Sequence, residues 1–146
     1  MGMTAKTWLN RGWRVNEEIE TLLRSKRTMF ERLTNMTTSL SGMPGAASPD
    51  PHKMDEYAAF CQQIDRRARE LTIISREILA VIARVQDGRY RQLLILRYVE
   101  FLTWEQIAVR LHYSWRWTMQ LHAEALQAVE RVLVGAGIIK KHKKAY

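Results

Sequence analysis

Ser114, Arg116 and Gln120 are the residues whose types and spacing point most directly to chemistry, and that chemistry is recognition rather than bond making. Serine ahead of a helical stretch is a preferred N-cap, and positions 116 and 120 then lie one turn apart on the same face. An arginine fork matches O6 and N7 of guanine, and a glutamine amide matches N6 and N7 of adenine; each good pair adds roughly 1–3 kcal/mol of discrimination. The free N–H groups at such a helix start, together with the Ser114 hydroxyl, suit a phosphate. Trp115 and Trp117 flank the arginine. Upstream, Thr103-Trp104-Glu105-Gln106 has the form of a capping box, with a hydroxyl at the N-cap and a Gln three residues on. It starts a shorter helix running through Leu111. A short helix, a turn of about three residues and a second capped helix make a helix-turn-helix, whose second member enters the major groove N-terminus first. A plainer assignment uses the same residues. Trp115 and Trp117 pack against other helices, while Arg116 and Gln120 are solvated surface.

The charge favours the first assignment. The chain carries a net +8, which suits a polyanionic partner. Residues 87–146 hold ten Lys and Arg against five Asp and Glu, net +5, leaving +3 for residues 1–86. The tail Lys140-Lys141-His142-Lys143-Lys144 adds cations fit for phosphate contacts. Catalytic and metal chemistry finds no comparable pattern. No Walker-type or dinucleotide loop is present, and the four histidines lack the spacing of a zinc helix. Cys61 is the sole cysteine; beside Phe60 and Ile64 it reads as a buried, inert thiol. The expectation is a binding protein, not an enzyme, without cofactor or metal. The apolar run at 78–83 is far too short to span a bilayer, and residues 1–6 lack the apolar core of a signal peptide, so the expected location is the cytoplasm with no membrane partner.

The elements that must hold these residues are all helical. Val15, Ile19, Leu22, Lys26, Met29, Leu33 and Met36 step by alternating fours and threes. Tyr57, Phe60, Ile64, Arg67, Leu71, Ile74, Ile78, Val81 and Val85 continue the rhythm after a Gly/Pro-rich loop at about 40–52. Such steps make the seam of a coiled coil. One loop between two similar helices predicts a long antiparallel hairpin over 1–86, with Lys26 and Arg67 snorkelling at its edge. The alternative is that the same stripes join two copies in a homodimer. Asp87-Gly88 marks the next break. Residues 87–137 then form a compact domain: a helix from 89 to about 99 with Tyr90, Leu93, Leu94 and Tyr98 inward, the short helix with Ile107, Ala108 and Leu111 inward, and a long helix with Thr118, Leu121, Ala125, Val129 and Val132 inward. Residues 138–146 are the basic tail.

The stretch Leu96-Arg97-Tyr98-Val99-Glu100-Phe101-Leu102-Thr103-Trp104-Glu105-Gln106-Ile107-Ala108, continued by Leu111-His112-Tyr113-Ser114 and Leu121-His122-Ala123-Glu124-Ala125-Leu126, resembles the C-terminal promoter-recognition domain of bacterial sigma factors. With the loop Ser41-Gly42-Met43-Pro44 and the helical pair before it, residues 5–133 are similar to a family of small phage and prophage proteins of Gram-positive bacteria related to late-transcription regulators. The resemblance implies binding of double-stranded promoter DNA, contact with host RNA polymerase, and work in the bacterial cytoplasm. It departs from the family at Phe101 and His112, where glycine is usual, and in a recognition helix poor in arginine. There Trp115, Trp117 and Glu124 occupy positions where basic or polar residues are expected, and Glu124 near a phosphate would repel it.

These readings converge on an all-α, sigma-like regulator. Its DNA contacts are expected from Thr103, Ser114, Trp115, Arg116, Trp117, Gln120, Lys140, Lys141, Lys143 and Lys144. Two rivals from other classes use the same features: an oligomeric packaging or assembly adaptor resembling a small terminase subunit, and a protein-interaction module that presents Trp115, Trp117 and Glu124 to a partner without touching DNA.

Overall fold

The computed structural model describes residues 2–40 and 51–141; the Gly/Pro-rich loop at 41–50 and Lys143 and Lys144 lie outside them. The described residues form six helices and no strand: α1 (Ala5–Leu9), α2 (Arg11–Leu40), α3 (Pro51–Ala83), α4 (Gly88–Tyr98), α5 (Trp104–Leu111) and α6 (Trp115–Gly135). The protein is all-α, as its helical periodicities require.

The chain separates into two compact units, one of residues 15–71 and one of residues 1–14 with 72–146. The first is the helical hairpin. Glu18 on α2 meets Arg67 on α3, with Oε1 to Nε at 3.0 Å, and further along α2 Phe30 packs its ring 6.2 Å from that of Tyr57. As numbers rise along α2 they fall along α3, so the helices run antiparallel. Every described seam residue in this unit is buried or half-buried. The two cations on the seam are accommodated by their long stems. Lys26 holds its ammonium 5.8 Å from the Tyr57 ring centroid, and Arg67 bridges Glu18 and Glu70. Cys61 is half-buried with a free thiol, less enclosed than expected. Among the described residues of this unit only Val15 and Leu22 are buried, so these residues form a narrow seam rather than a core.

The second unit has the core. It also takes in residues the hairpin periodicity does not mark. Thr4 caps α1 by accepting the Thr7 N–H at 3.1 Å, and Ala5, Trp8 and Leu9 are buried. They pack with Ile78, Val81, Ile82 and Val85 from the end of α3, Leu94 and Tyr98 from α4, and Ala125, Val129 and Leu133 from α6. A fully buried aliphatic side chain contributes roughly 1.5–3 kcal/mol, so this cluster dominates the unit. A second cluster of Leu93, Leu96, Ile107 and Leu121 ties α4, α5 and α6 together. Asn10 ends α1 with its N–H on Lys6 O and Trp8 O, and α2 starts at once.

Arg97 joins three helices of this unit. Its guanidinium carbon lies 4.3 Å from the Trp13 ring centroid and 4.5 Å from that of Trp104, so the cation is sandwiched between two indoles. The Trp13 Nε1–H donates to Arg97 O at 2.8 Å, and Arg97 Nη1 donates to Leu102 O at 3.0 Å. Phe101 adopts φ 58°, a conformation costly for a bulky residue. Its ring is edge-on to Trp13 at 5.5 Å and stands over Gly12, where an added Cβ would lie 3.4 Å away. Packing on α2 offsets the backbone cost.

Candidate nucleic-acid interface

The α5–turn–α6 segment is built by local rules that the sequence states openly. Thr103 Oγ1 accepts the Gln106 N–H at 3.2 Å and Gln106 Oε1 accepts the Thr103 N–H at 2.9 Å, completing the capping box. At the far end of α5, His112 takes the left-handed conformation, φ 57° and ψ 40°. The Tyr113 N–H reaches Ala108 O and the His112 N–H reaches Val109 O, which is a Schellman closure. Glycine is the residue such closures favour; His112 stands there exposed, so no packing offsets its backbone strain.

Ser114 then caps α6, its Oγ accepting the Trp117 N–H at 3.1 Å. The hydroxyl proton remains able to donate outward. Thr118 is buried, and its Oγ1 donates to Ser114 O at 2.8 Å. Arg116 and Gln120 are exposed one turn apart on the solvent side, a placement that fits both the recognition assignment and the plainer one of solvated surface. Trp115 is exposed at 52%.

Trp117 departs from its assignment. It is half-buried in the cluster of Leu93, Leu96, Ile107 and Leu121, with its ring edge-on to Tyr113 at 6.4 Å. Position 117 stands one turn before buried Leu121, so it shares the inward side of α6 and not the face of Arg116 and Gln120. Glu124 departs as well. Its Oε2 accepts the Tyr90 hydroxyl at 2.9 Å, and this hydrogen bond, with burial, raises the Tyr90 pKa. The carboxylate is therefore turned toward α4 and does not join Trp115 in an exposed patch.

The remaining expected residues divide. The Thr103 hydroxyl is engaged as the α5 cap. Lys140 and Lys141 are exposed beyond the end of α6. There Gly137 takes φ 73° and the Ile138 N–H bonds Leu133 O at 2.9 Å, a second Schellman closure, with Ile139 buried as its anchor.

His122 is an informative residue absent from the expected inward set of this helix. It is buried, its Nε2 lies 2.6 Å from the Tyr98 hydroxyl, and its ring stands 4.4 Å from Trp104. Burial, helped by the cations Lys6 and Arg97, lowers its pKa to about 4, and burial raises that of Tyr98 to about 12. Both are neutral at physiological pH and brace α4 against α6. The signal was available: Thr118, His122, Ala125 and Val129 step by four, three and four along the inward side of α6, the spacing of one helix face.

Among the described residues no group of three or more His, Cys, Asp or Glu could hold a metal ion, and no described helix is long and apolar enough to cross a membrane. No protein-family model, curated protein or solved structure matches the chain.

Proposed function

We propose that the protein is a sequence-reading, duplex-DNA-binding regulator of transcription. Its sigma-like helix-turn-helix recognises promoter DNA in the bacterial cytoplasm and works in contact with RNA polymerase. One observation carries the reading: Arg116 and Gln120 stand exposed one turn apart on the capped start of α6, while the nearby Glu124 carboxylate is held by Tyr90. That placement offers a guanine reader and an adenine reader to one groove and reduces the repulsion that a free Glu124 would bring. The sigma-factor resemblance of residues 96–126 supplies the promoter. Lys140 and Lys141 add phosphate contacts independent of sequence.

Nuclease protection on the DNA upstream of the protein's own coding sequence, with and without purified polymerase, tests this. A protected segment of about one helical turn per bound domain is expected, sharper when polymerase is present. No protection in either sample means the reading is wrong.

A second reading has support from one feature. Trp115 on α6 and Val109 on α5 are exposed at 52% and 75%, and exposed apolar side chains of this size suit a protein partner. Retention of polymerase from nuclease-treated extract, in the absence of any duplex binding, favours this interaction module.

A further inference from the structure

The exposed residues of α6 continue well past its first turn. Arg116, Gln120, Ala123, Gln127 and Arg131 are all exposed, and their steps of four, three, four and four place them on one face of a helix. That face bears two arginines, two amides and one methyl, and no carboxylate. Of the two acidic residues on α6, Glu124 is bonded to Tyr90. Glu130 is half-buried and stands about 100° round the helix from Arg131. Neither Arg116 nor Arg131 pairs with a carboxylate among the described residues.

Length decides what the far half of this face can meet. At 1.5 Å per residue, Arg131 lies roughly 22 Å along the axis from Arg116, whereas the major groove is about 12 Å wide. A straight helix whose first turn touches base edges has therefore left the groove floor by its fourth turn and overlies the sugar-phosphate ridge. Cations and amides are the side chains that bind there. Ala123, midway, lets the helix backbone approach the groove wall more closely than a longer side chain would.

We propose that α6 engages duplex DNA along its whole exposed face: Arg116 and Gln120 read bases, Ala123 is the point of closest approach, and Gln127 and Arg131 clamp the flanking phosphate backbone. This rests on the duplex-binding reading above and extends the footprint to residues the sequence pattern did not single out.

The test is a salt series of anisotropy titrations on labelled duplexes drawn from a random pool, using the full-length protein. Arg131→Ala should weaken binding severalfold on all sequences alike and reduce the slope of log affinity against log salt by about 0.9, one phosphate contact. Ala123→Glu should weaken binding about tenfold or more, since it sets a carboxylate against phosphate. Gln127→Lys should tighten binding and steepen the slope by about 0.9, a gain that misfolding cannot produce. Wild-type affinity and slope in both Arg131→Ala and Gln127→Lys, with Arg116→Ala still losing sequence preference, overturns the extended footprint and leaves the helix-turn-helix reading standing. Absence of duplex binding by the wild type at low salt overturns both.

Discussion

The Tyr98 hydroxyl and the His122 Nε2 lie 2.6 Å apart inside the unit that carries α6. Both rings are enclosed, and neither can ionise there without losing solvation. The folded pKa of His122, about 4, lies below the unfolded value near 6.5, so the unfolded chain binds the proton first. Stability is then complete above about pH 6.5 and falls as pH drops toward 4, by up to about 3 kcal/mol for this group. His122→Gln keeps an acceptor for the Tyr98 hydroxyl and removes the titration. Urea unfolding at pH 7 and pH 4.5 should show a smaller acid loss in the variant than in the wild type. Equal losses in both proteins would contradict the assignment.

The two non-glycine residues at positive φ make opposite predictions. His112 is exposed and strained, so His112→Gly should stabilise by about 1 kcal/mol. Phe101 has the same strain but packs on Trp13 and Gly12, and Phe101→Gly should destabilise by about 1–3 kcal/mol through the lost contacts. Thermal melts of the two variants check the sign of each.

The indole–guanidinium–indole stack predicts that Arg97 is not replaceable by lysine. Lysine keeps the charge but cannot present a planar group to both Trp13 and Trp104 while donating to Leu102 O. Arg97→Lys should cost about 1–2 kcal/mol, with Arg97→Ala costing more. Urea midpoints in that order support the stack; an Arg97→Lys protein as stable as the wild type argues against it.

Local signals account for what was legible. The Thr103 capping box, the Ser114 cap and the helical seam as far as Leu71 each depend on residues within a few positions of one another, and each appears where its spacing placed it; Ile78, Val81 and Val85, expected at the far end of that seam, pack instead in the core of the second unit. What escaped depends on distant partners. The five residues of α1 are too few for periodicity to register, and their burial comes from helices far along the chain. The inward turn of Glu124 depends on Tyr90, thirty-four residues away. Trp117 was ambiguous for a related reason. Types and spacing of aromatic residues near a recognition helix are the same whether they face a groove or a core, and only the packing of Leu93, Leu96 and Ile107 decides.

The proposed duplex binding gives that same hydrogen bond a testable consequence. Tyr90→Phe frees Glu124 beside the α6 face and should weaken duplex binding severalfold, while Glu124→Gln should tighten it, because a carboxylate near phosphate repels. Anisotropy titrations of the pair check this; if neither variant changes affinity, Glu124 lies outside the field of the bound DNA.

The central claim is that the capped end of α6 reads duplex sequence through Arg116. The most direct measurement compares wild type and Arg116→Ala on a selected duplex and a scrambled one at two salt concentrations. The account predicts salt-sensitive binding to both duplexes by the wild type, with preference for the selected one. That preference should shrink in Arg116→Ala by a factor matching roughly 1–3 kcal/mol. An undiminished preference in Arg116→Ala, or no binding to either duplex at low salt, contradicts it.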